Sequence, residues 1–239
     1  MKTTHFLPAL VLLSSVPALF GAEKPLLAVP GKVIYENQFD AEQGAQWKSP
    51  KGAWQIADGV LKGSEKPEDK HGAVTRLPDK LADFVLEYEF KFEGAKATSL
   101  SINCPKGHLS RIAMTPQSVV IQKDDMDHDG PDKAVVFARF ATALKPGVWH
   151  KVRMEMVGDT LLGKVDDCVA WGTDPALKQE RTAPGLTVGG QSVEFRNLKL
   201  SEASPNPDWS EVRSTLPKPG EKMDPPPARP VAAKASATN

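Results

Sequence analysis

The chain has 239 residues, 40% hydrophobic and 25% charged, ordinary proportions for a globular protein. Its 30 basic residues balance 30 acidic ones, so no global basic field draws it to nucleic acid or to an anionic lipid surface. Beyond the N-terminal segment no stretch is apolar enough to span a bilayer.

Lys2 and His5 precede an apolar run, Phe6 to Leu13, which Ser14, Ser15 and Pro17 interrupt before small residues at Ala18, Gly21 and Ala22. That order of basic, apolar and small residues is the pattern of a secretory signal peptide, placed at 1–22. The apolar run falls well short of the ~20 residues a membrane span requires. The expectation is a secreted or periplasmic protein.

From 33 to 202 the chain alternates apolar and polar residues. Trp54–Ala57 and Val60–Gly63 flank Asp58-Gly59, a dipeptide suited to the positive φ of a two-residue hairpin turn. In Ala82–Phe92, residues Phe84, Leu86, Tyr88, Phe90 and Phe92 share one parity, and Val85, Glu87, Glu89 and Lys91 the other. A period of two over this length predicts a strand with one buried face. Ser99–Cys104, Leu109–Met114, Val119–Lys123, Val135–Phe140 and Trp149–Val157 continue the series. Gly158-Asp159 and Asp166-Asp167 turn the chain into Thr160–Val165 and Cys168–Trp171. Val193 and Phe195 share one parity but Leu198 and Leu200 the other, which predicts a β-bulge at Arg196-Asn197.

Many short strands and no long helical pattern imply an all-β antiparallel sandwich or barrel. After residue 202 prolines accumulate, including Pro225-Pro226-Pro227. A short helix around Asp208–Leu216 with Trp209 folded back, then a disordered Pro-rich tail, is expected over 203–239. Cys104 and Cys168 either form one bridge or act as two small buried hydrophobes.

Three groups of residues carry candidate chemistry. Asp125-Met126-Asp127-His128-Asp129-Gly130 matches the first half of a calcium loop, with Asp132 beyond it; alternate carboxylates can converge on one hard cation. The second half departs, because position twelve is Val136 rather than a bidentate Glu. The bland alternative is a solvated acidic hairpin loop. Glu87 and Glu89, two apart on one strand face, are ~6.6 Å apart at ~3.3 Å rise per residue, near the separation of a glycosidase carboxylate pair. The alternative there is a charged outer face. His108, a candidate proton carrier, lies near Arg111 and Asn103, which can hold sugar hydroxyls or a carboxylate. Among the tryptophans, Trp54 and Trp149 read as core and Trp171, beside Gly172, as a stacking platform for a sugar. No serine-hydrolase elbow, zinc-protease or phosphate-loop motif is present.

WQIADGVLKG at 54–63, DFVLEYEFKF at 83–92, GVWHKVRMEMV at 147–157 and VEFRNLKL at 193–200 resemble, in sequence and order, the exported 3-keto-disaccharide hydrolase or family-16-like glycosyl hydrolase group. The resemblance implies a concanavalin-like jelly roll with a carbohydrate partner. It further implies cleavage of a glycosidic bond in a 3-oxidised sugar, where the ketone acidifies the C2 proton and a base drives elimination of the anomeric group. Glu87, Glu89 and His108 are the candidate bases, and a cation, calcium in the acidic loop, is a candidate for stabilising the enolate. The E-x-D-x-x-E string of family-16 glucanases is missing, which sets the ordinary retaining scheme aside. Jelly rolls also serve as glycan-binding modules and structural surface proteins, and both readings stay open at this stage.

Overall fold

The computed structural model describes residues 24–40, 46–126 and 130–227. The expected signal segment lies outside them. Fourteen strands run in chain order: β1 (Ala28–Asn37), β2 (Lys48–Lys51), β3 (Ala53–Ala57), β4 (Val60–Ser64), β5 (Ala73–Arg76), β6 (Lys80–Leu81) and β7 (Phe84–Cys104). Then follow β8 (Gly107–Thr115), β9 (Ser118–Lys123), β10 (Val135–Ala141), β11 (Trp149–Val157), β12 (Thr160–Val165), β13 (Cys168–Thr173) and β14 (Arg181–Pro205). The helix α1 (Trp209–Ser214) closes the series. The expected all-β antiparallel architecture is present, and among the described residues no helix is long and apolar enough to cross a membrane.

Two long strands organise everything else. β7 and β14 pair antiparallel from Thr182↔Asn103 to Glu202↔Phe84, with register shifts near Gly94 and Gly190. Both glycines have positive φ, 87° and 95°, a conformation side chains rarely adopt. These irregularities divide the ribbon between two layers. In the first layer β11 flanks the early half of β7, with β12 and β13 beyond, while β1 and β4 flank the late half of β14. In the second, β8, β9 and β10 extend from the late half of β7, and β5 and β6 from the early half of β14.

The core lies between the layers. Even-numbered residues of β7, from Phe84 and Tyr88 through Phe90 and Phe92 to Leu100 and Ile102, are buried together with Phe195, Ile112, Ile121 and Met154. The layers meet so closely that a Cβ on Gly163 of β12 would fall 2.9 Å from Ile121, and one on Gly172 of β13 only 2.1 Å from Phe137. Aromatic rings supply much of the fill: Phe90 and Phe92 meet edge to face with centroids 5.2 Å apart, a favoured arrangement. The hairpin at Asp58-Gly59 forms as expected, with φ of 53° and 74°. The bulge expected at Arg196-Asn197 is present as a register shift between Arg196 and Lys199, with Asn197 at φ 52°. Cys104 and Cys168 are both free thiols, so the buried-hydrophobe alternative describes them better than a bridge.

The C-terminal segment is more ordered than its composition implies. Trp209 begins α1 and packs edge to face on Trp171, centroids 5.5 Å apart. Beyond the helix the chain runs along the free edge of β10: Arg139 N–H donates to Lys222 O, Asp224 N–H to Arg139 O, and Ala141 N–H to the Asp224 carboxylate. Thus the segment expected to be a free tail covers an exposed strand edge, a site that otherwise invites pairing with another chain. The rest of the expected tail, from 228 on, lies outside the described residues.

Candidate functional site

Odd-numbered residues of β7 face outward in both layers, and the two outer faces differ. On the second layer, paired residues place Ser99 beside Ala113 and Thr187, and Ser101 beside Arg111. Arg111 and His108 are three residues apart and would point to opposite sides of a regular strand. A register shift solves this: Ile102 pairs with Ser110 and Asn103 with His108, leaving Leu109 as an extra residue. The bulge re-aims His108 onto the face that carries Arg111, a common use of bulges near functional sites.

These residues line an open cleft of ≈460 Å³. β5 supplies Arg76 and Val74, β14 supplies Thr187 and Gly189, and Lys51 and His71 come from the segments beside β5. His108 Nδ1 lies 3.1 Å from Asn103 Oδ1. An amide oxygen only accepts, so Nδ1 carries the proton and Nε2 is the basic nitrogen. His71 Nδ1 is likewise 2.7 Å from the Gly72 carbonyl oxygen. Arg111 donates from Nε to Asp124 Oδ2 at 2.8 Å, and Gln122 holds the other carboxylate oxygen at 2.6 Å. Asp124 is 3% exposed, so it sits behind Arg111 and orients it. Arg76 donates to the Ala183 carbonyl (2.8 Å) and to Ser101 Oγ (3.3 Å). Burial, and secondarily the neighbouring Arg111 charge, lowers the Arg76 guanidinium below its ordinary pKa.

The structure therefore brings together His108, Asn103 and Arg111, and separates them from Glu87 and Glu89. Those two glutamates project from the outer face of the first layer. Glu87 accepts from Arg153 Nη1 at 2.5 Å, and Glu89 from Arg196 Nε at 2.5 Å. Neither is a solvated surface charge: Glu89 is 5% exposed, and Asn197 also donates to it. Arg153 donates from Nε to Glu155, a fully buried carboxylate that also receives the Ala28 N–H at 2.7 Å. Burial pushes the Glu155 carboxyl up despite Arg153. Both glutamates are therefore ion-paired on the outer face of the first layer, where Glu87 also lines a pocket of ≈250 Å³ with Lys151, Arg153 and Asp166.

Trp171 is not an open platform either, because Trp209 of the same chain covers it. Trp54 packs against the core as expected, whereas Trp149 stands on the outer face of the first layer, its ring stacked 4.0 Å below the Arg196 guanidinium. In the acidic loop, Asp132 accepts the Met126 N–H at 3.1 Å and lies 3.4 Å from the Lys123 ammonium. Those contacts, the backbone N–H first, lower its pKa. Asp127 and Asp129 lie outside the described residues, and among the described ones no three metal-binding side chains converge. Asp132 is thus already matched by a lysine, and two of the four carboxylates expected to hold calcium, Asp127 and Asp129, lie among the residues not described.

Arg76, His71 and Lys51 were not singled out in the sequence. Nothing local marks them: Arg76 joins the site because β5 pairs with β14, Arg76 opposite Gly185, across more than half the domain.

The family model for the 3-keto-alpha-glucoside-1,2-lyase-like domain matches residues 35–201, which spans both layers and the cleft. No curated protein matches. Among solved structures, a Bacillus subtilis protein with a galectin-like fold aligns with a TM-score of 0.58 at 12% identity, over 75% of this chain and 100% of that one. The carbohydrate-binding module CBM66 of Bacillus subtilis aligns with a TM-score of 0.53 at 16% identity, over 66% and 96%. The Bacillus licheniformis β-glucanase aligns with a TM-score of 0.52 at 10% identity, over 72% and 98%. At such identities the likeness is one of fold, a concanavalin-like jelly roll.

Proposed function

Since the chain belongs to the 3-keto-alpha-glucoside-1,2-lyase-like family, we propose that it cleaves the glycosidic bond of a 3-keto sugar by elimination, in the cleft on the second layer. The observation that carries this reading is the bulge-directed convergence of His108, Asn103, Arg111 and Arg76 on one open face. A 3-ketone acidifies the proton on C2. His108 Nε2, with Nδ1–H held by Asn103, takes that proton, and the electron pair forms an enolate on O3. Arg111 or Arg76 supplies charge-assisted donors to the oxyanion as it develops. The enolate then re-forms the ketone, a C1–C2 double bond appears, and the anomeric oxygen leaves with a proton. No water is consumed in this step.

Among the described residues no carboxylate lines the cleft. Retaining hydrolysis needs two carboxyl groups flanking the bond, whereas elimination next to a ketone needs only a base and an oxyanion holder. This chemistry is proposed to act outside the cytoplasm, on the strength of the N-terminal signal pattern. The N-terminus of the mature protein, read by mass spectrometry, checks that placement.

The test is incubation of the exported protein with a panel of 3-keto glycosides and their unoxidised parents, with and without calcium, followed by mass spectrometry. Release of aglycone with an unsaturated 3-keto product, from the oxidised members only and lost in His108→Ala, is the expected result. Retention of glycans without cleavage would make the protein a binding module instead. Neither cleavage nor retention would leave a structural role.

A further inference from the structure

The cleft has a charge character that the whole chain lacks. The sequence is balanced overall, yet the cleft is lined by Lys51, Arg76 and Arg111 together with His71 and His108, and by no Asp or Glu among the described residues. One acid neutralises part of this set: Asp124, buried behind Arg111 and bonded to its Nε. Arg76 meets only neutral acceptors, the Ala183 carbonyl and the Ser101 hydroxyl. It is a partly buried cation without a carboxylate beside it. Its lowered pKa, caused by burial and then by Arg111, expresses the same want of counter-charge.

Such a site is incomplete by the ordinary rule that buried charges are paired. Elsewhere the molecule obeys that rule closely: Arg153 sits between Glu87 and Glu155, Arg181 meets Asp83, and Arg196 meets Glu89. On the cleft the same chain places two guanidiniums side by side, and among the described residues no acid lines it. Asp124 takes the Nε of Arg111 and, among the described residues, none accepts from its Nη end, which has the two-donor edge that suits an oxyanion. A neutral sugar offers hydroxyls, which match the Ser, Thr and Asn side chains of the cleft but leave the two charges uncompensated.

We propose that the cleft is selective for an anionic saccharide, a 3-keto glycoside whose ring or leaving group carries a carboxylate, sulfate or phosphate seated between Arg76 and Arg111. The inference rests on reading the cleft as the sugar site. The substrate's oxyanion supplies the counter-charge that no described residue lining the cleft provides, while His108 stands at the side of the same cleft for the proton transfer.

The experiment compares methyl 3-keto-glucoside with its uronate and its 6-phosphate, which differ only at C6, using the full exported chain. Expected is a kcat/KM ~10-fold or more higher for a charged substrate, the scale of one charge-assisted hydrogen bond, and a preference that shrinks as salt is raised. Uronate against phosphate tells which oxyanion the site takes. Arg76→Gln should reduce the charged-to-neutral ratio. Lys51→Gln, at an exposed position, should reduce it less. In parallel, calorimetric binding of unoxidised methyl glucuronide and methyl glucoside reads selectivity without any chemistry. Equal cleavage of charged and neutral substrates would overturn this inference and leave the elimination reading intact. Selective, salt-sensitive and Arg76-dependent binding of the glucuronide with no cleavage of any substrate would uphold this inference and sink the elimination. Absence of both binding and cleavage of every charged probe would overturn it.

Discussion

The outer faces of the two layers are built from the same two strands, β7 and β14, and on β7 from residues of the same parity. One is largely filled by ion pairs, with a pocket of ≈250 Å³ beside Glu87 and Lys151, and the other opens into the cleft of ≈460 Å³. On the first layer Glu87 and Glu89 are each met by an arginine, Arg153 and Arg196, and Glu155 ties the N-terminal segment down through Ala28. On the second layer the odd-numbered positions of β7 are Ser99, Ser101 and Asn103, short polar groups that leave space above the sheet. The charges there are cations from neighbouring strands. The contrast teaches that a jelly roll can spend its acid–base complement on structure on one face and withhold it on the other. On the function proposed above, the convergent cations mark the face that receives the ligand.

The largest expected effect separates the faces by chemistry. His108→Ala should lower kcat on a 3-keto glycoside by ~10²–10⁴-fold, the usual worth of a positioned general base, with a melting curve close to that of the parent. If instead kcat survives, the base lies elsewhere and the open face loses its catalytic claim.

Next in size is a stability effect confined to the filled face. Arg153→Ala leaves Glu155, fully buried, without its counter-charge and removes the partner of Glu87. Breaking a buried pair in this way costs about 3–5 kcal/mol, read as a lower urea midpoint. An unchanged midpoint would mean that the cluster contributes nothing. A smaller loss follows from Glu89→Gln, which keeps an acceptor for Arg196 but removes its charge. About 1–2 kcal/mol of stability should go, while kcat/KM on the substrate used for His108→Ala stays where it was. Loss of activity without loss of stability would return Glu89 to the catalytic role that its spacing first suggested.

How far the sequence could be read follows from the range over which each feature is determined. The hairpin at Asp58-Gly59, the alternation of 84–92 and the bulge at Arg196-Asn197 depend on neighbours along the chain, and all appear where periodicity and turn chemistry put them. His108, Asn103 and Arg111 were legible as polar residues near one another. Their convergence depends on a bulge at Leu109 that no parity rule announces. The ion pairs of Glu87 and Glu89 were not legible, because strand spacing gives the distance between two carboxylates but not what stands opposite them. Arg153 comes from β11 and Arg196 from β14, 66 and 107 positions away from their respective glutamates. Arg76 entered the site by the same long-range pairing, and for the same reason was missed. The tail illustrates composition overruled by context: its prolines forbid regular pairing, yet a few backbone groups between Gly220 and Asp224 suffice to follow the edge of β10.

That docked segment, anchored on β13 of the first layer and laid along β10 of the second, offers the mildest test of the comparison. Trp209 holds α1 against Trp171, whose indole nitrogen is buried without a hydrogen-bond partner, so the contact is made through the rings. An edge-to-face pair contributes about 0.5–1.5 kcal/mol beyond its buried area. Trp209→Ala should therefore cause a small drop in the unfolding midpoint, and its more telling consequence should be local. Amide exchange should rise at Arg139 and Ala141, whose N–H groups are held by Lys222 and Asp224, since the segment that covers them would lose its anchor. Exchange in β7 should not change, because its hydrogen bonds go to β8, β11 and β14. β10 belongs to the layer that carries the cleft but stands two strands beyond β8, and neither β9 nor β10 lines the cleft, so turnover should be unaffected. A fall in turnover with β7 exchange unchanged would show that the anchor on Trp171 of the first layer acts through the strap along β10 on the open face, and that the two layers are not independent.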